Sequence, residues 1–161
     1  MRKQILALLE KDAKLSAAEL AVYLDKPAAE VQAEIEGMER ERVICGYGAF
    51  VNWDRTDSEY LTALIEVRVT PSRGEGFNRI AERISRFDEV QAVYLISGAY
   101  DLAVIIVGKS LKDISFFVSD KLSPMETILS TATHFVLKKY KDHGLLFNEG
   151  ADGDERMIIS P

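Results

Sequence analysis

Hydrophobic residues near the start of the chain recur every three or four positions, a spacing that is typical of amphipathic helices. A first short helix is predicted over Arg2–Glu10, where the leucines and Ile5 share one side. The sequence Ser16-Ala17-Ala18-Glu19 matches a capping box, so a second helix should begin near Ala17. That helix should end before Pro27, because proline keeps the preceding residue out of the helical region. A third helix should run to about Arg42, with its apolar positions at Val31, Ile35 and Met38.

Three short helices with a tight turn between the last two describe a helix-turn-helix unit, whose third helix would enter the major groove of DNA. The same pattern fits a generic three-helix bundle, and the spacing alone does not separate the two. From Glu30 to Arg42 the third helix carries five glutamates and two arginines, a balance that is unfavourable for phosphate contact. A glycine in the helix interior, here Gly37, lowers helix stability by roughly 1 kcal/mol relative to alanine. The stability of this helix therefore depends on its packing against the rest of the unit.

The second part of the chain alternates between strand and helix patterns. Apolar residues at every second position over Leu61–Val69 predict a strand with one buried face. After a helix that carries Phe77, two apolar runs within Val90–Gly108 predict a buried β-hairpin joined by Ser97-Gly98-Ala99. Ser110 should cap another helix, and a last strand, broken in its middle, should lie within Thr127–Tyr140. The resulting order, β-α-β-β-α-β, is that of the ferredoxin-like arrangement.

We therefore expect an α+β protein with two domains. Residues 1–52 should form a winged helix-turn-helix unit with a linker strand over Val43–Trp53, and residues 60–147 a ferredoxin-like βαββαβ domain. Residues 148–161, which carry four acidic residues and one basic residue, are expected to be a mobile acidic tail. In a ferredoxin-like domain the helices cover one face of the sheet. A homodimer that covers the other face is the default expectation, and the linker strand would cross between the subunits.

Composition narrows the possible functions further. The net charge is −6 and the first 52 residues hold seven Lys/Arg against nine Asp/Glu, so no half of the chain is basic. Cys45 is the single cysteine and the two histidines are far from it in sequence, which gives no metal-ligand spacing and no sign of a cofactor. The longest apolar run, Leu102 to Val107, is far shorter than the ~20 residues that span a bilayer. We expect a cytoplasmic protein with no membrane partner.

Four segments resemble the Lrp/AsnC family of leucine-responsive and related transcription regulators. They are Leu15-Ser16-x-x-Glu19-Leu20-Ala21, Glu39-x-x-x-Val43-Ile44-x-Gly46-Tyr47, Ser97-Gly98-x-Tyr100-Asp101-Leu102 and the stretch from Thr131 to Tyr140. The resemblance covers nearly the whole chain. It implies an amino-acid-responsive, DNA-binding regulator that dimerises through its C-terminal sheet. It also implies that dimers assemble into a tetramer or octamer with the effector bound between them.

The hairpin turn Ser97–Asp101, which we call the effector turn, carries the chemistry that an α-amino acid needs. Backbone N–H groups of Gly98 and Ala99 can donate to a carboxylate, Asp101 can accept from an ammonium, and Tyr100 can form a wall. By analogy with the family, the hydroxyls of Thr131 and Thr133 would come from a neighbouring subunit. Without the resemblance, Tyr100 and Asp101 are better explained as residues that shape a tight turn.

The candidate DNA contacts lie at the start and along the exposed side of the third helix. They are Lys26, Ala28, Ala29, Gln32, Ala33, Arg40 and Arg42. The family usually has Ser or Thr at the cap and several basic residues along this helix. This chain has Pro27 at the cap, and it has Glu34, Glu36 and Gly37 at the positions where the family usually has basic residues. The alternative function is therefore a ligand-sensing paralogue that binds DNA weakly or not at all and acts as a co-regulator.

Enzyme activity is not expected. The two histidines belong to no HExxH motif or nucleophile elbow, and His134 on a strand face is typical of a hydrogen-bonded structural histidine. Sirohaem decarboxylases are similar to these regulators in overall architecture and use a histidine on the sheet domain. Because His134 lies in the predicted sheet domain, an enzyme similar to sirohaem decarboxylases is the less favoured alternative function.

Overall fold

A computed structural model describes residues 1–70 and 76–147. Contacts divide the chain into two compact units, Met1–Val51 and a second that begins at Asn52. The first unit contains three helices, α1 (Arg2–Lys11), α2 (Ala17–Leu24) and α3 (Ala28–Arg40). The predicted mobile tail, residues 148–161, lies outside the described residues.

The three helices of the first unit bury one apolar face each against a common core. Its fully buried members are Ile5, Leu20, Val31 and Met38. The capping box is confirmed: the Ser16 hydroxyl accepts from the Glu19 N–H, and the Glu19 carboxylate accepts from the Ser16 N–H at 2.8 Å. This reciprocal bonding satisfies N–H groups that the first turn of α2 would otherwise leave without partners.

Two residues with positive φ shape the ends of the helices. Asp25 (φ 51°) ends α2 and turns the chain towards α3, and Arg42 (φ 60°) follows the end of α3. Beyond Arg42, the N–H groups of Val43 and Ile44 both donate to the carbonyl of Met38, at 2.8 and 3.1 Å. The helix thus ends at Arg40 rather than at Arg42, because these bonds close its last turn in a left-handed cap.

The predicted linker strand is not formed within the chain. Residues 43–51 belong to no strand ladder, and among the described residues of Met1–Val51 there is no strand to form the wing that we expected. The physical reason is that a strand is stable only when its N–H and C=O groups pair with a neighbouring strand. One chain offers these residues no such neighbour.

The second unit has the ferredoxin-like order that the sequence predicts. Its elements are β1 (Leu61–Val69), α4 (Asn78–Ile84), β2 (Val90–Leu95), β3 (Leu102–Gly108), α5 (Leu111–Phe117) and β4 (Ile128–Phe135). The four strands form one antiparallel sheet in the order β2-β3-β1-β4. A turn of 3-10 helix (Trp53–Arg55) precedes the sheet, and a turn of π-helix (Val118–Leu122) extends α5. As predicted, the Ser110 hydroxyl caps α5 by accepting from the Asp113 N–H.

The last strand is shorter than predicted. It ends at Phe135, and a small hairpin of β5 (Lys141–Asp142) and β6 (Leu145–Leu146) follows. His143 (φ 46°) and Gly144 (φ 81°) form the turn of that hairpin. Tyr140 belongs to this hairpin region rather than to β4, since its carbonyl accepts from the Phe147 N–H at 3.0 Å.

The sheet has one covered face and one open face. On the covered face, the alternate residues of β1 and β3 pack with Ile84 of α4 and Phe117 of α5. The other residues of these strands and their neighbours point away from the helices. This open face contains Leu64, Glu66, Tyr94, Ile105, Ala132 and His134.

Candidate functional site

The exposed side of α3 is the candidate DNA-facing surface. Ala29, Gln32, Ala33, Glu36 and Arg40 follow one another on this side, and all five are exposed. The Gln32 amide donates to Glu36 Oε1 at 2.9 Å, and Arg40 Nη1 lies 3.9 Å from Glu36 Oε2. A recognition helix contacts bases with the residues at its start. In this chain those residues are Ala29, Gln32 and Ala33, whose side chains are uncharged and, except for Gln32, small.

Arg2 of α1 pairs with two glutamates on the adjacent side of α3, Glu34 within the helix and Glu41 directly after it, and its single positive charge offsets one of their two negative charges. Its guanidinium donates to both carboxylate oxygens of Glu41, at 2.6 and 3.0 Å, and its Nε donates to Glu34 Oε2 at 2.5 Å. These bonds lower the pKa of Glu41 and raise that of Arg2, so both of these groups stay charged at neutral pH. The acidic balance of α3 is therefore partly compensated from another helix.

Gly37 makes this arrangement possible. A Cβ at this position would lie 3.1 Å from Nη2 of Arg2, so the missing side chain leaves room for the guanidinium against the helix. The pairing of Arg2 with Glu34 and Glu41 was not predicted from the sequence. The available signal was a glycine in the interior of an otherwise regular helix, which often marks a close approach.

A third glutamate of α3 is also engaged. The Tyr47 hydroxyl donates to Glu39 Oε1 at 2.8 Å. Partial burial, and then the nearby Glu39 carboxylate, raise the pKa of Tyr47, so the phenol remains protonated as a donor. Glu39 is thereby tied to the segment that follows the helix.

The remaining candidate DNA contacts flank α3. Lys26 and Ala28 are exposed in the turn that leads into the helix, and the Lys26 N–H donates to the carbonyl of Ala21 at 3.1 Å. Arg42 is also exposed, but it occupies the left-handed position after the helix, where its carbonyl accepts from the thiol of Cys45. Lys26 and Arg42 thus lie at opposite ends of α3, where phosphates of a bound groove would lie.

In the effector turn, Asp101 has a structural partner. Its Oδ2 accepts from the Val69 N–H at 2.8 Å, at the β-bulge where the register between β1 and β4 shifts. Its backbone N–H donates to the carbonyl of Val67 at 3.0 Å, and its carbonyl accepts from Ile96 at 2.8 Å. Asp101 therefore connects the hairpin to β1 through one carboxylate oxygen and through its backbone N–H.

The other residues of the turn face outward to different degrees. Ser97, Gly98 and Ala99 are exposed, whereas Tyr100 and Asp101 are half-buried. The tip of the turn is therefore open to solvent.

Thr131 and Thr133 do not meet the effector turn within one chain. They lie on β4 opposite Val67 and Ile65 of β1, half-buried on the covered face of the sheet. Because β1 separates β4 from β3 and its turn, a single chain keeps these threonines apart from Asp101. That they serve a neighbouring subunit stays a prediction.

His134 is a paired histidine on the open face. Its Nε2 lies 3.2 Å from Glu66 Oε1 on the neighbouring strand, as expected for a structural histidine. Across residues 1–70 and 76–147, no three His, Cys, Asp or Glu side chains are grouped closely enough to hold a metal ion. Within the same ranges, no helix has the length and apolar content that crossing a membrane requires.

Comparison with known proteins decides the family. The family model of the Lrp/AsnC ligand binding domain matches residues 62–146, more than half of the 161 residues. The chain belongs to the Lrp/AsnC family. It is 46% identical over 159 residues to the HTH-type transcriptional regulator YugG of Bacillus subtilis, covering 98% of this chain and 95% of that protein. Like its relatives, it is a transcriptional regulator and not an enzyme.

Solved structures of Lrp/AsnC regulators share the fold. The leucine response regulatory protein LrpA of Mycobacterium tuberculosis matches with a TM-score of 0.73 at 17% identity, covering 88% of this chain and 94% of that one. The regulator NMB0573 of Neisseria meningitidis, solved as its L-Met complex, matches with a TM-score of 0.70 at 20% identity, covering 91% and 95%. The helix-turn-helix unit and ferredoxin-like domain are thereby confirmed as the fold.

Proposed function

We propose that this regulator binds double-stranded DNA through α3 in the cytoplasm and that a free amino acid, bound at the effector turn, changes that binding. Residues 1–52 serve as the DNA-binding domain and residues 60–147 as the effector-binding and oligomerisation domain. The observation that carries the proposal is the Arg2 cluster. By donating to both Glu34 and Glu41 beside Gly37, Arg2 offsets part of the repulsion that an acidic recognition helix would meet at the phosphates.

The exposed start of α3 suits direct reading of bases. A glutamine amide can form two hydrogen bonds with adenine, which assigns that role to Gln32, and the methyl groups of Ala29 and Ala33 fit against thymine methyl groups. Lys26, Arg40 and Arg42 would contact phosphates, and such contacts position the helix without reading sequence. Glu36, held by Gln32 and Arg40 in the free chain, would have to release Gln32 on binding.

A homodimer follows from the surfaces that one chain leaves uncovered. The open face presents Leu64, Tyr94 and Ile105, and a second copy of the same face covers it by two-fold symmetry. Residues 43–51 add exposed apolar side chains, with Tyr47 and Phe50 each about half exposed. A partner's copy of this segment would supply the missing strand neighbour.

The effector site is completed when dimers assemble into a tetramer or octamer. The N–H groups of Gly98 and Ala99 receive the carboxylate, and the oxygen of Asp101 that does not bind Val69 receives the ammonium. Tyr100 forms a wall, and Thr131 and Thr133 approach from a neighbouring subunit. The L-Met complex of the similarly folded NMB0573 supports an amino acid as the ligand class.

A gel shift at low salt tests the DNA half of the proposal, with the region upstream of the protein's own coding sequence as the probe. Gln32→Ala should weaken binding by about 1–3 kcal/mol at the preferred sequence. Arg2→Ala should weaken it on all sequences, while Lys112→Ala, an equal charge change on α5, should have little effect. Absence of binding with and without amino acids would refute DNA binding and favour the ligand-sensing co-regulator.

A further inference from the structure

A polar cleft separate from the effector turn lies between α4 and the start of β4. Its volume is about 450 Å³, within the range of small-molecule sites. One wall is α4, with Arg79 and Arg83 one turn apart, and the opposite wall is the turn that contains Glu126 and Thr127. Thr70 lies at the cleft beside Thr127.

The backbone around this α4 cleft is held in place before any ligand binds. The Thr70 N–H donates to the carbonyl of Thr127 at 2.8 Å, and the Ile128 N–H donates to that of Met125 at 2.9 Å. Ile80 and Met125, which line the cleft from opposite walls, are both less than a tenth exposed and anchor those walls in the core. A ligand would therefore meet a preformed site and would lose little free energy to ordering it.

The charges of the cleft are complementary to a zwitterion. Arg83 and Glu126 are both exposed, and within the described residues neither side chain has a hydrogen-bond or ion-pair partner. A guanidinium receives a carboxylate through two parallel N–H donors, and a carboxylate receives an ammonium. The two groups line one cavity without pairing with each other, so a molecule that carries both an anionic and a cationic group can satisfy both.

We propose that the α4 cleft binds a free α-amino acid, with its carboxylate on Arg83 and its ammonium on Glu126. The inference rests on the proposed function, because it takes the same class of ligand. It adds a second site, away from the effector turn, whose described lining lies on α4, at the end of β1 and before the start of β4.

Calorimetric titration of the full chain with each of the twenty amino acids tests the inference. For the amino acid that binds, Arg83→Ala and Glu126→Gln should each raise the dissociation constant about tenfold or more, as expected when a charged hydrogen-bonding partner is lost. Arg83→Lys keeps the charge without the planar fork and should recover part of the affinity. Arg86→Ala and Glu82→Gln are matched controls outside the cleft, and they should bind as the wild type does.

Asp101→Asn separates the two sites, since the asparagine oxygen can still accept from Val69 while the charge is lost. Binding that is weakened by the cleft variants and persists in Asp101→Asn supports the cleft. If Asp101→Asn abolishes all binding and Arg83→Ala changes none, the cleft inference is overturned and the effector turn stands. If no amino acid binds the wild type, both the cleft and the effector part of the proposed function are overturned.

Discussion

Replacing Gly37 by alanine tests whether the glycine lowers the stability of α3 while leaving space for the guanidinium of Arg2. Gly37 is buried in the helix interior, and the new Cβ would lie 3.1 Å from Nη2 of Arg2, with its next neighbours at 3.9 Å. The close atom is the end of a flexible side chain. The guanidinium can therefore shift by a few tenths of an ångström while the backbone of α3 stays in place.

The expected gain follows from helix propensity. Alanine is favoured over glycine by about 0.8–1 kcal/mol in a helix interior. In an Arg2→Ala background nothing opposes the Cβ, and Gly37→Ala should stabilise the N-terminal unit by this whole amount. In the wild-type background the gain should be smaller, because the displaced guanidinium loses part of its geometry on Glu34 and Glu41. The exchange should still be net stabilising, since these ion pairs are solvent-exposed and contribute little.

Urea and thermal unfolding of the four variants, followed by circular dichroism in the helical band, measure this coupling. A gain of about 1 kcal/mol raises the midpoint of thermal unfolding by roughly 4–8 °C in a small domain. Gly37→Ala should also weaken DNA binding in the gel shift, because Glu34 and Glu41 lose part of their counter-charge. Equal gains in both backgrounds would show that position 37 and Arg2 are uncoupled. A loss of stability would show that the backbone has to move, and either result refutes the reasoning.

Three further variants test other parts of the structure. Asp101→Ala should destabilise the C-terminal unit by about 1–2 kcal/mol in urea unfolding, because it leaves the Val69 N–H without its acceptor, and Asp101→Asn should cost less. Arg42→Gly should stabilise the N-terminal unit by about 0.5–1 kcal/mol in the same assay, since glycine adopts φ 60° without strain. The hydrogen bond from Lys121 lowers the pKa of Glu89, so this pair adds stability above the unfolded pKa that is lost as pH falls through the folded pKa. Glu89→Gln should therefore flatten the acid limb of the stability–pH curve.

Each of these variants has an outcome that contradicts its argument. Equal stabilities of Asp101→Ala and the wild type would mean that water replaces the carboxylate at Val69. A destabilised Arg42→Gly would show that the arginine side chain contributes more than its backbone strain costs. Glu82→Gln on α4 is the control for the pH measurement, and a flattening as large as that of Glu89→Gln would remove the special role of Lys121.

The elements that carry the candidate site could be predicted from the sequence, but the partners of their side chains could not. The apolar spacing placed α3 and the hairpin, and the resemblance pointed to Ser97–Asp101. It did not show that Asp101 is already bonded to Val69, 32 residues earlier in the chain. Nor did the charge count show that Arg2 compensates Glu34 and Glu41, which follow it by 32 and 39 residues. The linker over Val43–Trp53 had the composition of a strand, and this prediction was wrong for the single chain because composition does not supply a partner.

The sequence by itself determined the local structure of this protein, including the three-helix unit, the capping box at Ser16, the order of strands and helices and the buried face of β1. These features depend on residues that are neighbours in the chain, where periodicity and capping act directly. Only the tertiary structure decided which charges meet, whether Asp101 is free and where a cleft forms beside Arg83. Those outcomes depend on residues brought together by packing, and the spacing of apolar positions carries no information about them.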